Sequence, residues 1–69
     1  MKLNKRNIFI HMAKFAANKT WLAETTGLSF DTITKALGGR KVSPRTAGRI
    51  AKALNVPVED ILEADDEIE

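Results

Sequence analysis

The chain contains no cysteine, so no disulfide and no thiolate-bound metal can hold it together. Its one histidine, His11, cannot assemble an imidazole metal site, and no cofactor or metal is expected. Catalysis would need paired carboxylates, a nucleophile with a base, or a metal set, and none stands out, so an enzyme is not expected. No apolar run approaches the ~20 residues of a membrane span. The start, MKLNKRNIFI, is basic but lacks a long apolar core and a small-residue cleavage site, which argues against a signal peptide. A reducing, cytoplasmic setting is expected. Sixty-nine residues make one domain. A chain this short hides only about 60% of the surface it exposes unfolded, so its stability must come from helix packing or from a partner.

Acids are scarce until the end. Residues 63–69, EADDEIE, hold five acids and no base. Residues 1–62 then hold all eleven bases against Glu24, Asp31, Glu59 and Asp60, a net charge of +7. A compact body with this excess fits an anionic partner such as nucleic acid, although an ordinary solvated surface with a charged tail has the same composition. For the acidic tail, a solvated end competes with folding over the basic face and with a longer helix at a dimer interface.

Every segment long enough to read is helical. Residues 4–16 place Ile8, Met12 and Phe15 at i, i+4 and i+7, with Phe9, Ala13 and Ala16 widening the stripe and Asn4 as N-cap. A second helix runs from its cap Asn18 to about Thr26, buries Leu22 and Ala23, and ends at Gly27, which accepts left-handed geometry. A third, capped by Ser29, runs from about Phe30 to Leu37 with Ile33, Ala36 and Leu37 inward, and stops at Gly38-Gly39. Ser43-Pro44 opens the fourth, whose Ala47, Ile50, Ala51 and Leu54 repeat at helical spacing before Asn55. A short fifth, about Pro57 to Leu62, carries Glu59 and Asp60 in its first turn, where the helix dipole favours acids. The expected fold is an all-α, compact bundle of five short helices.

Only Gly27-Leu28-Ser29 joins the second helix to the third. So short a glycine-containing connection makes two helices cross steeply, as in a helix-turn-helix. Ala23 is small where the helices approach, Gly27 takes the turn, Leu28 plugs the joint, and Ile33 anchors the third helix.

From NKTWLAETTGLSFDTITKALGG onward the chain resembles the Cro/phage-repressor-like (XRE-like) helix-turn-helix DNA-binding domain. Leu22-Ala23, Gly27-Leu28-Ser29, Thr32-Ile33, Gly39, Pro44, Ile50-Ala51, Ala53-Leu54, Val56 and Ile61-Leu62 match the family pattern in register. The resemblance covers about residues 5–62, so residues 1–62 are read as the DNA-binding domain and 63–69 as the acidic tail. Two positions depart from the pattern. Trp21 replaces a usually polar residue, and packing against the first helix is favoured over a phosphate contact. Leu37 stands where many members have an acid, and an apolar contact with Met12 and Phe15 is expected to replace an ion pair.

The resemblance implies double-stranded DNA as partner, with the third helix in the major groove. With Ile33 set inward, ~100° per residue turns Asp31 and Lys35 outward, with Thr32 and Thr34 at the flanks. Short side chains there let a helix sink into a groove about 12 Å wide. The candidate base contacts are Ser29, Phe30, Asp31, Thr34 and Lys35. Lys35 can donate to guanine or pair with Asp31 at i,i+4; Asp31 can accept from cytosine or sit on the helix dipole. Phe30 can pack on a thymine methyl or be partly buried. Ser29 can cap and Thr34 can bond the preceding turn, and neither role excludes a contact. The candidate phosphate contacts are Asn18 and Lys19, opening the second helix, and Arg40, Lys41 and Arg45 after the third; each could equally be a solvated group.

The reading that follows is a sequence-specific transcriptional regulator, a repressor of phage, plasmid or mobile-element type. A homodimer on a palindromic operator is expected, with half-sites about 34–36 Å apart. Val58, Ile61, Leu62 and Ile68 are the dimerisation candidates unless the first three close the core. The alternatives are the DNA-binding antitoxin subunit of a toxin–antitoxin pair, and a protein-interaction module that no longer reads DNA; a protein partner such as an antirepressor or a toxin is conceivable. A basic helix lying on a membrane surface is not favoured, because the core needs the apolar face of the first helix.

Overall fold

A computed structural model describes residues 2–63 of the chain. Four α-helices follow in order: α1 (Lys5–Lys14), α2 (Lys19–Thr26), α3 (Phe30–Leu37) and α4 (Pro44–Leu54). The expected fifth helix is a single 3-10 turn, Val58–Ile61. The fold is all-helical, and among the described residues no helix is long and apolar enough to cross a membrane. The acidic tail beyond Glu63, with the dimerisation candidate Ile68, lies outside the described residues.

Local chemistry sets the helix starts. The side chains of Asn4, Asn18, Ser29 and Ser43 each accept the backbone N–H three residues on, from Asn7, Trp21, Thr32 and Thr46. Each satisfies a donor that the first helical turn leaves orphaned, an effect of about 0.5–2 kcal/mol. Pro44 occupies the first turn of α4, where its missing N–H costs nothing. Asn55, at φ 59°, takes the left-handed position after α4.

Every element contributes to one core. Ile8, Leu22, Ile33, Ile50, Leu54 and Ile61 are all under 2% exposed. Burying a side chain of this size contributes about 1.5–3 kcal/mol. The 3-10 turn therefore closes the core with Ile61, while Val58 and Leu62 are partly buried against it. Ile61 is thereby removed as a dimerisation surface.

Helix α1 departs from its expected stripe. Ile8 and Met12 are buried, but Phe9 and Phe15 are 40% and 46% exposed, and Ala13 and Ala16 face solvent. The reason lies at the ends of the chain. Leu3 is buried and forms an isolated antiparallel bridge with Leu62. The N–H of Asn4 donates to the Ile61 carbonyl at 2.6 Å, that of Glu63 to Lys2 at 3.0 Å, and Asn7 Nδ2 to Asp60 at 3.0 Å. Leu3 and Ile61 complete the core beside Ile8 and Met12, so α1 needs only a narrow buried stripe. The helix also stops at Lys14. Ala16 takes φ 51°, and Ala17 N–H returns to the Met12 carbonyl at 3.0 Å, closing the helix as glycine usually does.

Candidate nucleic-acid interface

The α2–α3 corner is fixed from two directions. Gly27 adopts φ 76°, a conformation that carries little cost only without a Cβ. Inside the corner, the buried Thr26 Oγ1 donates back to the Leu22 carbonyl at 2.7 Å and accepts the Leu28 N–H at 3.2 Å. From outside, Arg49 of α4 donates Nη1 to the Thr26 carbonyl at 3.1 Å. The guanidinium thus satisfies a carbonyl that the helix end would leave orphaned, and lies at the negative pole of the α2 dipole. Leu28 packs partly buried against the core. Neither Thr26 nor Arg49 stood out in the sequence. Thr26 sits one residue before the turn glycine, where a hydroxyl can bond the previous turn, but the 23-residue separation of Arg49 from Thr26 leaves no local signal.

Helix α3 docks through Ile33, Ala36 and Leu37, all buried. Its outward face carries Phe30, 52% exposed, together with Asp31, Thr34 and Lys35. Ser29 Oγ accepts the Thr32 N–H at 3.0 Å and lies 2.8 Å from the Thr32 hydroxyl, so its capping role is filled. Lys35 Nζ and Asp31 Oδ2 pair at 3.0 Å. Both side chains are mostly solvent-exposed, so the pair contributes only about 0.3–0.5 kcal/mol.

The chain leaving α3 folds back beside it. Gly38 N–H bonds the carbonyls of Thr34 and Lys35, and Gly39 turns at φ 93°. This return brings Lys35, Arg40 and Lys41 to one groove, whose other walls are Thr32, Ala36, Val42, Ser43 and Thr46. Three cations therefore border the α3 face at its C-terminal side. Arg45 is exposed on the first turn of α4, outside this groove. Asn18 and Lys19 open α2, where Asn18 Oδ1 is engaged by the Trp21 N–H at 2.8 Å.

The two departures from the family pattern are accommodated by packing. Leu37 and Met12 are both buried in the core. Phe15 is not with them; it lies outside, stacked on Trp21 with ring centroids 5.6 Å apart and planes 19° from parallel. Such a pair adds about 0.5–1.5 kcal/mol beyond its buried area.

No curated protein and no solved structure matches the chain significantly. Residues 7–67 match the family model of the Cro/C1-type HTH DNA-binding domain. That span covers almost the whole chain, including the α2–turn–α3 unit and the basic loop after it, and the chain belongs to the Cro/C1-type helix-turn-helix DNA-binding family.

Proposed function

We propose that this DNA-binding regulator reads operator sequence with α3 in the major groove and acts as a repressor, two copies binding a two-fold site. The observation that carries this reading is the α3 surface. Its outward face, Phe30, Asp31, Thr34 and Lys35, is bordered at its C-terminal side by the cations Arg40 and Lys41. A helix with that profile can enter the groove while flanking bases meet phosphate.

The ten candidate contacts divide by reach. Ser29, Phe30, Asp31, Thr34 and Lys35 face base edges. Asn18, Lys19, Arg40, Lys41 and Arg45 hold the register by contacting phosphate. The Asp31–Lys35 pair does not block reading, because opening it costs less than the about 1–3 kcal/mol that a good base contact supplies. Phe30, exposed at the start of α3, is suited to a thymine methyl.

One domain presents one such helix, so a second copy is needed to span two half-sites. Members of this family are generally not enzymes, and control then rests on protein concentration, competition or a partner. Selection of bound fragments from random duplexes tests the reading. Enrichment of a palindrome with half-sites about 10 base pairs apart is expected. Recovery of unenriched sequence would overturn sequence-specific reading.

A further inference from the structure

The outer face of α1 carries a second groove, and no residue lines both it and the basic groove beside α3. Phe9 and Ile10 are 40% and 50% exposed there. With the exposed Ala13 they floor an open apolar groove whose remaining lining is Asn4, Lys5, Arg6 and Glu63. Arg6, Phe9, Ile10 and Ala13 stand three or four residues apart, so they form one continuous helix face. That face runs two turns, about 10 Å. Ala13 is small beside Phe9 and Ile10, which leaves a hollow that a side chain of a second helix can enter.

The charge on this face has one sign. The helix KRNIFIHMAK contains no acid. Lys5 Nζ stands 5.8 Å from the centre of the Phe9 ring, so base and apolar surface lie side by side. Among the described residues neither Lys5 nor Arg6 forms an ion pair. Glu63 is the one acid of the groove lining. Charge then selects the occupant. A second copy of α1 would set bases against bases. Nucleic acid would pair the bases but leave Phe9 and Ile10 against phosphate. A helix with an apolar stripe flanked by carboxylates satisfies both parts of the surface.

We infer that the outer face of α1 is a docking site for a partner protein that presents an acidic amphipathic helix. Apolar side chains of the partner, at helical spacing, cover Phe9, Ile10 and Ala13. Its carboxylates pair with Lys5 and Arg6 and are turned away from Glu63. The site uses none of the residues proposed to contact DNA. It is therefore independent of the reading of α3 and is tested without DNA.

The probe is a synthetic peptide about 16 residues long, enough for four helical turns. It carries leucine at i, i+3, i+4 and i+7, glutamate on the flanks and alanine elsewhere. Added to the intact chain, it should shift the amide signals of Lys5, Arg6, Phe9, Ile10 and Ala13 and leave those of Phe30–Leu37, Arg40 and Lys41 in place. Ile10→Gln exchanges an exposed apolar side chain for a good helix former and should weaken binding about tenfold. Lys5→Glu with Arg6→Glu puts acids in the first turn, where the helix dipole favours them. This pair should weaken binding at least as much, and a peptide with lysine in place of glutamate should bind that variant but not the parent chain. Failure of the acidic peptide to bind the intact chain overturns the proposal, as do shifts centred on α3 and the basic loop, or equal binding of the acidic and basic peptides. Two further results overturn it by naming another occupant. Signals of α1 that move with protein concentration alone give the groove to a second copy. Peptide binding gained only when residues 64–69 are replaced by glycine and serine gives it to the chain's own end.

Discussion

Two turns flank α2, and each reverses the chain through one left-handed residue. They are built differently. The turn before α2 uses Ala16 at φ 51°, and among the described residues its helix closure rests on backbone hydrogen bonds alone. The turn after α2 uses Gly27 at φ 76°, with the Thr26 hydroxyl bracing it from within and Arg49 from α4. The first turn only has to connect two packed helices. The second sets the angle at which α3 leaves α2, and small angular errors there displace the whole outward face of α3. At the second corner side-chain hydrogen bonds brace the left-handed residue's own neighbours, whereas at the first the Asn18 cap and the Phe15–Trp21 stack lie beside a strained Ala16.

The contrast can be broken at its strongest point first. Thr26→Val keeps the shape but removes the buried hydroxyl and leaves the Leu28 N–H without its acceptor. It should cost about 1–3 kcal/mol, read as a lowered midpoint in chemical denaturation. Gly27→Ala should cost about 1–2 kcal/mol through its left-handed φ. Its Cβ would meet only Arg49 Nη1, at an ordinary 3.5 Å, so backbone strain accounts for the loss. Removing the outer brace with Arg49→Met, which keeps much of the apolar stem, should cost about 0.5–1.5 kcal/mol. At the other turn the sign reverses: Ala16→Gly should stabilise by about 0.5–1 kcal/mol, seen as a higher thermal midpoint. If Ala16→Gly destabilises, or Gly27→Ala is neutral, the two turns are not opposites.

The same division separates what the sequence discloses from what it conceals. Asn4, Asn18, Gly27, Ser29, Ser43 and Asn55 act within a few residues of themselves, and their roles follow from side-chain chemistry and spacing. The face of α3 is likewise legible, because ~100° per residue places Asp31 and Lys35 outward once Ile33 is inward. Their ion pair was one of two arrangements that this spacing allowed. The Leu3–Leu62 bridge and the Arg49–Thr26 bond join residues far apart in sequence, and no periodicity encodes them. The exposure of Phe9 and Phe15 depends on those distant partners, since α1 shows the core only as much surface as Leu3 and Ile61 leave open. Ala16 hid its turn because alanine is an ordinary helix residue. The fifth element, too short for a hydrophobic period to define, proved to be a 3-10 turn.

The proposed function divides labour between α3, which would read bases, and the cations beside it, which would hold phosphate. Equilibrium binding of Lys35→Ala and Arg40→Ala to a selected duplex and a scrambled one, over a series of salt concentrations, separates the two roles. Lys35→Ala should lose about 1–3 kcal/mol on the selected duplex and little on the scrambled one. Arg40→Ala should weaken both and lower the salt slope by about one. Equal weakening of both duplexes by Lys35→Ala, with an unchanged slope for Arg40→Ala, would show that neither residue has the proposed role.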